Sequence, residues 1–163
     1  MAIQALITVL ESQLHLLEEF LDLLSRETGE LSAIHLDAMA EINRQKESIA
    51  ARIETNSAVL RKEMEAAASR EGLSSKAMLG ELAAAYIKKG MKDVSRLHAE
   101  INSVADRIKQ LISLNREIAE RFAASVTSSL EFLTRILKQS TTYGATGGYQ
   151  QRSAGAVIIN REA

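Results

Sequence analysis

The side chains best suited to chemistry in this chain are its three histidines, because the chain contains no cysteine. They are His15, His35 and His98. A di-iron site in a helical bundle needs Glu-x-x-His motifs facing the interior, but a serine stands three residues before each of these histidines. The sequence therefore does not predict a di-iron site.

The densest group of possible metal ligands is Glu11, His15, Glu18 and Glu19. A zinc site needs three or four ligands that converge on one point. Charged residues at this spacing are more typical of the solvated face of an amphipathic helix. We therefore expect no metal and no cofactor.

His98 raises the alternative of a histidine phosphotransfer domain, which is also a helical bundle with one exposed histidine. Such domains resemble one another in a lysine and a glycine that soon follow the histidine. Here Ala99-Glu100-Ile101-Asn102 follow it, and the Glu100 carboxylate would repel a phosphoryl group. The sequence also lacks a glycine-rich phosphate loop. We predict that the chain is not an enzyme.

The composition favours long helices and a protein partner. Proline, which breaks helix interiors, is absent from the 163 residues, and the net charge is −1. Without a basic run, the sequence does not predict binding to nucleic acid. No Lys or Arg precedes Arg26, and polar residues interrupt the apolar start. We therefore expect neither a signal peptide nor membrane insertion, and a cytoplasmic location.

Apolar residues recur at alternating steps of three and four along three long segments, which predicts amphipathic helices. The predicted spans are 2–25, 37–70 and 92–140, with a short connector helix at 75–88. Gly29 is the predicted stop or kink of the first helix, and Asp37 is the predicted N-cap of the second. Ser74 or Ser75 is the predicted cap of the connector.

Each long segment has a seam of apolar residues with few polar members. The first seam is Ile3, Ile7, Leu10, Leu14, Leu17, Leu21 and Leu24. The second is Met39, Ile42, Lys46, Ile49, Ile53, Asn56, Leu60, Met64 and Ala67. The third is Val94, Leu97, Ile101, Val104, Ile108, Leu111, Asn115, Ile118 and Phe122. We interpret Lys46 and Asn115 as structural polar residues, since buried polar positions set the register of coiled coils.

Three apolar-striped helices must bury their seams against one another. We therefore predict an all-α fold: an elongated antiparallel helical bundle or coiled coil of three long helices plus the connector, over residues 1–140. Residues 141–163 are predicted to be a flexible, glycine-rich C-terminal tail. A short apolar stretch, Val157-Ile158-Ile159, lies near its end.

A further apolar stripe begins where the third seam weakens, at Val126, Leu130, Leu133 and Leu137. It can be a stutter that shifts the seam, or part of a wider buried face. It can also be a groove for a partner helix, because the first helix is too short to cover all of the last one. The sequence leaves these alternatives open.

The carboxyl-terminal half carries motifs that resemble the FlgN family of flagellar export chaperones. They are Leu114-Asn115-Arg116-Glu117-Ile118, the apolar helix that follows through Leu137, and the turn Thr142-Tyr143-Gly144-Ala145-Thr146-Gly147. The Leu/Glu-rich first helix, the seam residue Lys46 and the Gly-rich tail are similar to the family as well. The tail departs from the family in its length and in an additional Gly148-Tyr149.

The resemblance implies a cytoplasmic chaperone of type III flagellar export that binds the terminal helices of hook-associated (hook–filament junction) proteins. It would prevent their aggregation and deliver them to the export gate. It implies a client-binding face at Phe122, Val126, Leu130, Leu133 and Leu137, and an export-gate contact at Tyr143. The alternative is a coiled-coil adaptor or scaffold without an export role. The client and the choice between monomer and dimer stay open.

Overall fold

The computed structural model describes the backbone of residues 2–142 and the side chains of residues 3–138. These residues form four helices: α1 (Ala2–Ala33), α2 (Leu36–Arg70), α3 (Leu79–Lys88) and α4 (Asp93–Thr142). The described residues contain no strand, and the all-α prediction is confirmed. Of the predicted tail, residues 141 and 142 belong to α4, whereas Tyr143 and the residues after it lie outside the described residues.

The chain divides into two units, residues 1–120 and 121–163. The first contains α1, α2, α3 and the first part of α4. The second contains the rest of α4, of which residues 121–142 are described. The predicted boundary at residue 140 between bundle and tail stays a prediction.

In the first unit, α1 and α2 run antiparallel. Three of the contacts between them show the direction: Gln13 with Ser57 at 3.2 Å, Glu19 with Arg52 at 2.9 Å, and Glu27 with Lys46 at 2.6 Å. As the residue number rises along α1 it falls along α2, so the two helices form a hairpin joined by a two-residue turn.

Two apolar clusters hold the first unit together. The larger joins the start of α1, the end of α2, α3 and the start of α4, and is centred on Leu6, Leu10, Leu82, Val94 and Leu97. The smaller joins Leu21 and Leu24 of α1 to Val104 and Ile108 of α4. In these clusters the contacting residues have rising numbers on both α1 and α4, so these two helices run parallel. In the sequence, the connector α3 lies between α2 and α4.

The predicted seams face this interior. Every seam position from Val94 to Ile118 is buried or half-buried, and so are those of α1 and α2. Tyr86 of α3 is also buried, and this burial, together with the negative charge of Glu71, raises the pKa of its phenol. The helical periodicity of the sequence therefore located the core of the first unit.

The predicted end of α1 at Gly29 is wrong. The helix continues through Gly29 to Ala33, although glycine in a helix interior costs about 0.5–1 kcal/mol. Contacts of Glu27 and Thr28 with the other long helices offset that cost. The helix ends instead at Ala33, and the next residue, Ile34, has a φ of +59°.

The predicted N-caps are also wrong. His35, not Asp37, precedes α2, and Asp37 lies in its first turn. Helix α3 begins at Leu79, where the Glu81 carboxylate accepts the N–H of Met78 at 2.7 Å. The Ser74 hydroxyl instead accepts the N–H of Lys76 in the preceding turn. The predicted ends of α2 at residue 70 and of the connector at residue 88 are confirmed. A glycine with positive φ follows each end, Gly72 after α2 and Gly90 after α3.

Candidate functional site

The last part of α4 exposes a series of large apolar side chains. The five residues of the predicted client-binding face are all exposed, with exposed fractions from 38% to 65%: Phe122, Val126, Leu130, Leu133 and Leu137. Every described side chain from residue 121 to residue 138 is exposed. A stripe of this composition on the core side of a bundle would be buried.

These five residues lie on one side of the helix. With 3.6 residues per turn, they fall within an arc of about 80°. Phe132 and Ile136 are exposed as well, and they widen the apolar arc to about 160°. The heptad register of the third seam, continued past Phe122, reaches these two residues, so they are not part of the predicted client-binding face. With 3.6 residues per turn and no heptad register imposed, both residues fall on the apolar side of this part of the helix.

Polar and charged residues occupy the other side of the same segment. A shallow groove beside Leu130 is lined also by Thr127, Glu131, Thr134, Arg135 and Lys138. The segment 121–138 is therefore amphipathic, with an exposed apolar side and an exposed polar side. This arrangement suits a partner that is itself amphipathic.

The two predicted structural polar residues meet through a shared carboxylate. Lys46 Nζ donates to Glu27 Oε1 at 2.6 Å, and Asn115 Nδ2 donates to Glu27 Oε2 at 2.9 Å. Asn115 Nδ2 also donates to the carbonyl of Leu24 at 3.0 Å, and the Thr28 hydroxyl donates to Asn115 Oδ1 at 2.6 Å. One cluster, which we call the Glu27 network, thus joins α1, α2 and α4 in the first unit.

A second polar contact in the α1–α2 interface involves a residue that sequence reasoning missed. Gln13 is buried, and its Oε1 accepts the Asn56 side-chain amide at 2.6 Å. In the sequence Gln13 is only one of the polar residues that interrupt the apolar start. Its partner Asn56 is a polar member of the predicted α2 seam. The sequence feature that indicates this contact therefore lies on α2 and not on α1.

The histidines are each engaged with a neighbouring side chain. His15 Nε2 lies 3.0 Å from Glu19, His35 Nδ1 lies 2.7 Å from Glu30, and His98 Nε2 lies 3.0 Å from the Asn102 amide. Within residues 2–142 no group of three or more His, Asp or Glu side chains is placed to hold a metal ion. None of the helices in that range is apolar enough over a sufficient length to cross a membrane.

The fold and the exposed face define an all-α protein whose last helix carries an uncovered amphipathic segment. A family model, that of the FlgN protein, matches residues 1–151. The chain belongs to the FlgN family.

This family comprises chaperones of flagellar export, which are not enzymes. Comparisons with curated protein sequences and with solved structures give no significant match.

Proposed function

We propose that this protein is a cytoplasmic type III flagellar export chaperone for hook-associated proteins. It binds their terminal helices, prevents them from aggregating before export, and delivers them to the export gate. Membership of the FlgN family supports the chaperone role, and favours it over an adaptor without an export role. The observation that carries the proposed binding site is the exposed apolar face of α4.

The chemistry of this face suits the client. Amphipathic terminal helices that have not yet assembled expose apolar surface and associate with one another. A client helix that lies along Phe122 to Leu137 removes both apolar surfaces from water, at about 25 cal/mol per Å² buried. The face offers apolar area without a deep pocket, so binding does not require the client to adopt a complete fold.

The Glu27 network contributes indirectly. It connects α4 to α1 and α2 at Asn115, which fixes the register of the first unit. We assign Lys46 and Asn115 a structural role and not a contact with the client. Tyr143 follows directly after α4 in the sequence, and we propose it as the contact with the export gate.

A charge-substitution experiment tests the binding face. In Leu133→Asp/Leu137→Asp, two exposed apolar anchors become charged, and we expect binding of a purified hook-associated protein to weaken by about 100-fold, since each buried leucine contributes at least ~1.5 kcal/mol. The matched control is Thr127→Asp/Thr134→Asp, which puts the same two charges on the polar side. Its binding should stay within about threefold of the parent's.

Circular dichroism and thermal melting of both variants complete the test. Because all four positions are exposed, the melting temperatures should remain close to that of the parent. A large fall for the leucine variant alone would identify these residues as core. Unchanged client binding in a folded leucine variant would place the client elsewhere.

A further inference from the structure

The apolar face of α4 is large for a surface left in water. It carries seven exposed large apolar side chains: Phe122, Val126, Leu130, Phe132, Leu133, Ile136 and Leu137. Soluble proteins rarely leave contiguous apolar patches of this kind uncovered. In the proposed function a client covers the face, which raises the question of what occupies it when no client is bound.

The sequence supplies one candidate occupant in the same chain. After Thr142, where α4 ends, 21 residues remain, 143–163. They contain a single apolar stretch, Ala156-Val157-Ile158-Ile159, and four glycines separate it from the helix. Neither the fold nor the proposed function uses this stretch.

We propose that residues 156–159 bind the apolar face of α4 in the client-free protein and compete with the client for it. The competition with the client rests on the proposed client-binding role of the face. The contact between residues 156–159 and the face does not depend on that role. A tethered segment has an effective concentration in the millimolar range. It therefore occupies the face in preference to a second copy of the chain at micromolar concentration.

The length of the connection fits this contact. From Thr142 to Val157 the chain spans at most about 50 Å, whereas the face from Phe122 to Leu137 is about 22 Å long. Ser129 lies about 20 Å back along the helix from Thr142, so a connection of 15 residues is long enough for the apolar stretch to reach the middle of the face.

The expected competition is modest. Three β-branched side chains cover only part of a face built for a longer partner helix. When a site is partly occupied, the apparent dissociation constant rises in inverse proportion to the free fraction. We therefore expect the tail to weaken client binding about three- to tenfold, which leaves a client able to displace it.

Disulfide trapping tests the contact directly, because the chain has no cysteine of its own. Ser129→Cys with Asn160→Cys places one thiol within the apolar arc and the other beside the apolar stretch, and it removes no apolar side chain. The matched control is Ser128→Cys with Asn160→Cys. Its helix thiol is only one residue farther along the chain, but it is rotated by about 100° away from the centre of the face.

Under mild oxidation we expect the Ser129 pair to form an intramolecular disulfide at least about fivefold faster than the Ser128 pair, as a preorganised contact raises effective concentration. Mass spectrometry of the monomer on a non-reducing gel measures this rate. Equal rates for the two pairs would overturn the proposal. A disulfide-linked dimer as the main product would overturn it too, and would assign the face to a second copy.

The competition is tested with Val157→Ser/Ile158→Ser/Ile159→Ser in the full chain. We expect this variant to bind a purified hook-associated protein about three- to tenfold more tightly than the parent. The control, Gln150→Ser/Gln151→Ser/Arg152→Ser, changes a polar part of the tail and should leave affinity unchanged. Unchanged affinity in the apolar-stretch variant would contradict the competition.

The two proposals fail in different ways. If the client binds the face but the two cysteine pairs react equally, only the tail contact is wrong. If the Ser129 pair reacts faster but the client does not bind the face, the proposed client-binding function is wrong and the tail contact is still supported.

Discussion

Ile34 directly follows the last residue of α1 and has a left-handed backbone conformation, which glycine normally adopts at a helix end. The N–H of His35 bonds to the carbonyl of Glu30, and the N–H of Ile34 bonds to that of Leu31. This pair of bonds is the Schellman arrangement of a helix end, which requires a left-handed residue. Here that residue is a β-branched isoleucine at φ +59° whose side chain is half-exposed. The turn between α1 and α2 therefore holds backbone strain.

Replacing Ile34 with glycine should remove this strain. The left-handed conformation costs an L-residue about 1–2 kcal/mol. After subtracting the greater backbone entropy of glycine in the unfolded chain, we expect Ile34→Gly to stabilise the protein by about 0.5–1 kcal/mol. Urea unfolding measures the change. The control Ser32→Gly, two residues earlier in ordinary helical conformation, should destabilise. A loss of stability in both variants would contradict the argument.

Asn115 is the buried centre of the Glu27 network. In Asn115→Ala the side chains of Glu27 and Thr28 and the carbonyl of Leu24 each lose a hydrogen-bond partner. Leaving such groups unsatisfied costs about 1–3 kcal/mol, and we expect a loss of stability of that size in urea unfolding. Asn102→Ala, on an exposed part of the same helix, should cost less than about 0.5 kcal/mol. Similar losses for both variants would show that the network contributes little.

At the scale of the helices, the seam predicted Lys46 and Asn115 but not the carboxylate that joins them. Both were found because they interrupt an apolar row on their own helix. Glu27 lies outside the seam of α1, and its partners stand 19 and 88 residues away in sequence. Periodicity within one helix carries no information about the register between helices, so this contact could not be predicted.

The two parts of α4 differ in what surrounds them. Between Leu97 and Asn115 the helix contributes buried side chains to the first unit, whereas every side chain from residue 121 to residue 138 is exposed. An isolated helix of about 20 residues is only marginally stable in water. Local stability should therefore fall along this one helix from its start towards its end.

Hydrogen exchange measures this difference in the unmodified protein. We expect amides of residues 97–115 to exchange at least about 100-fold more slowly than those of residues 122–138, because only the former are fixed by tertiary packing. The early part of α1, which is packed in the larger core cluster, serves as the internal standard for high protection. Uniform protection along α4 would contradict the expectation.

For the molecule as a whole, the sequence predicted the helices and the core faces better than their ends. Apolar residues recur at steps of three and four because one face of each helix is buried. Burial of apolar surface is the dominant favourable contribution to folding. Helix ends depend on terms near 1 kcal/mol, which packing outweighs. This is why α1 passes through Gly29, and why the serines before α3 do not cap it. The exposure of the last apolar stripe could not be predicted, because an apolar stripe on one helix does not show whether another helix packs against it.

The parallel course of α1 and α4 has a consequence for the order in which the protein is made. Contacts within the α1–α2 hairpin join residues such as Lys46 and Glu27, which are close in sequence, whereas Leu24 and Asn115 are 91 residues apart. Short loops close at a lower entropic cost, so the hairpin can form on the ribosome as soon as α2 has emerged. At about 5–20 residues per second, several more seconds pass before Asn115 is available. During that interval the apolar side of α1 that later packs against α4 is exposed to water. The nascent protein then exposes apolar helical surface, as do the clients that it is proposed to protect.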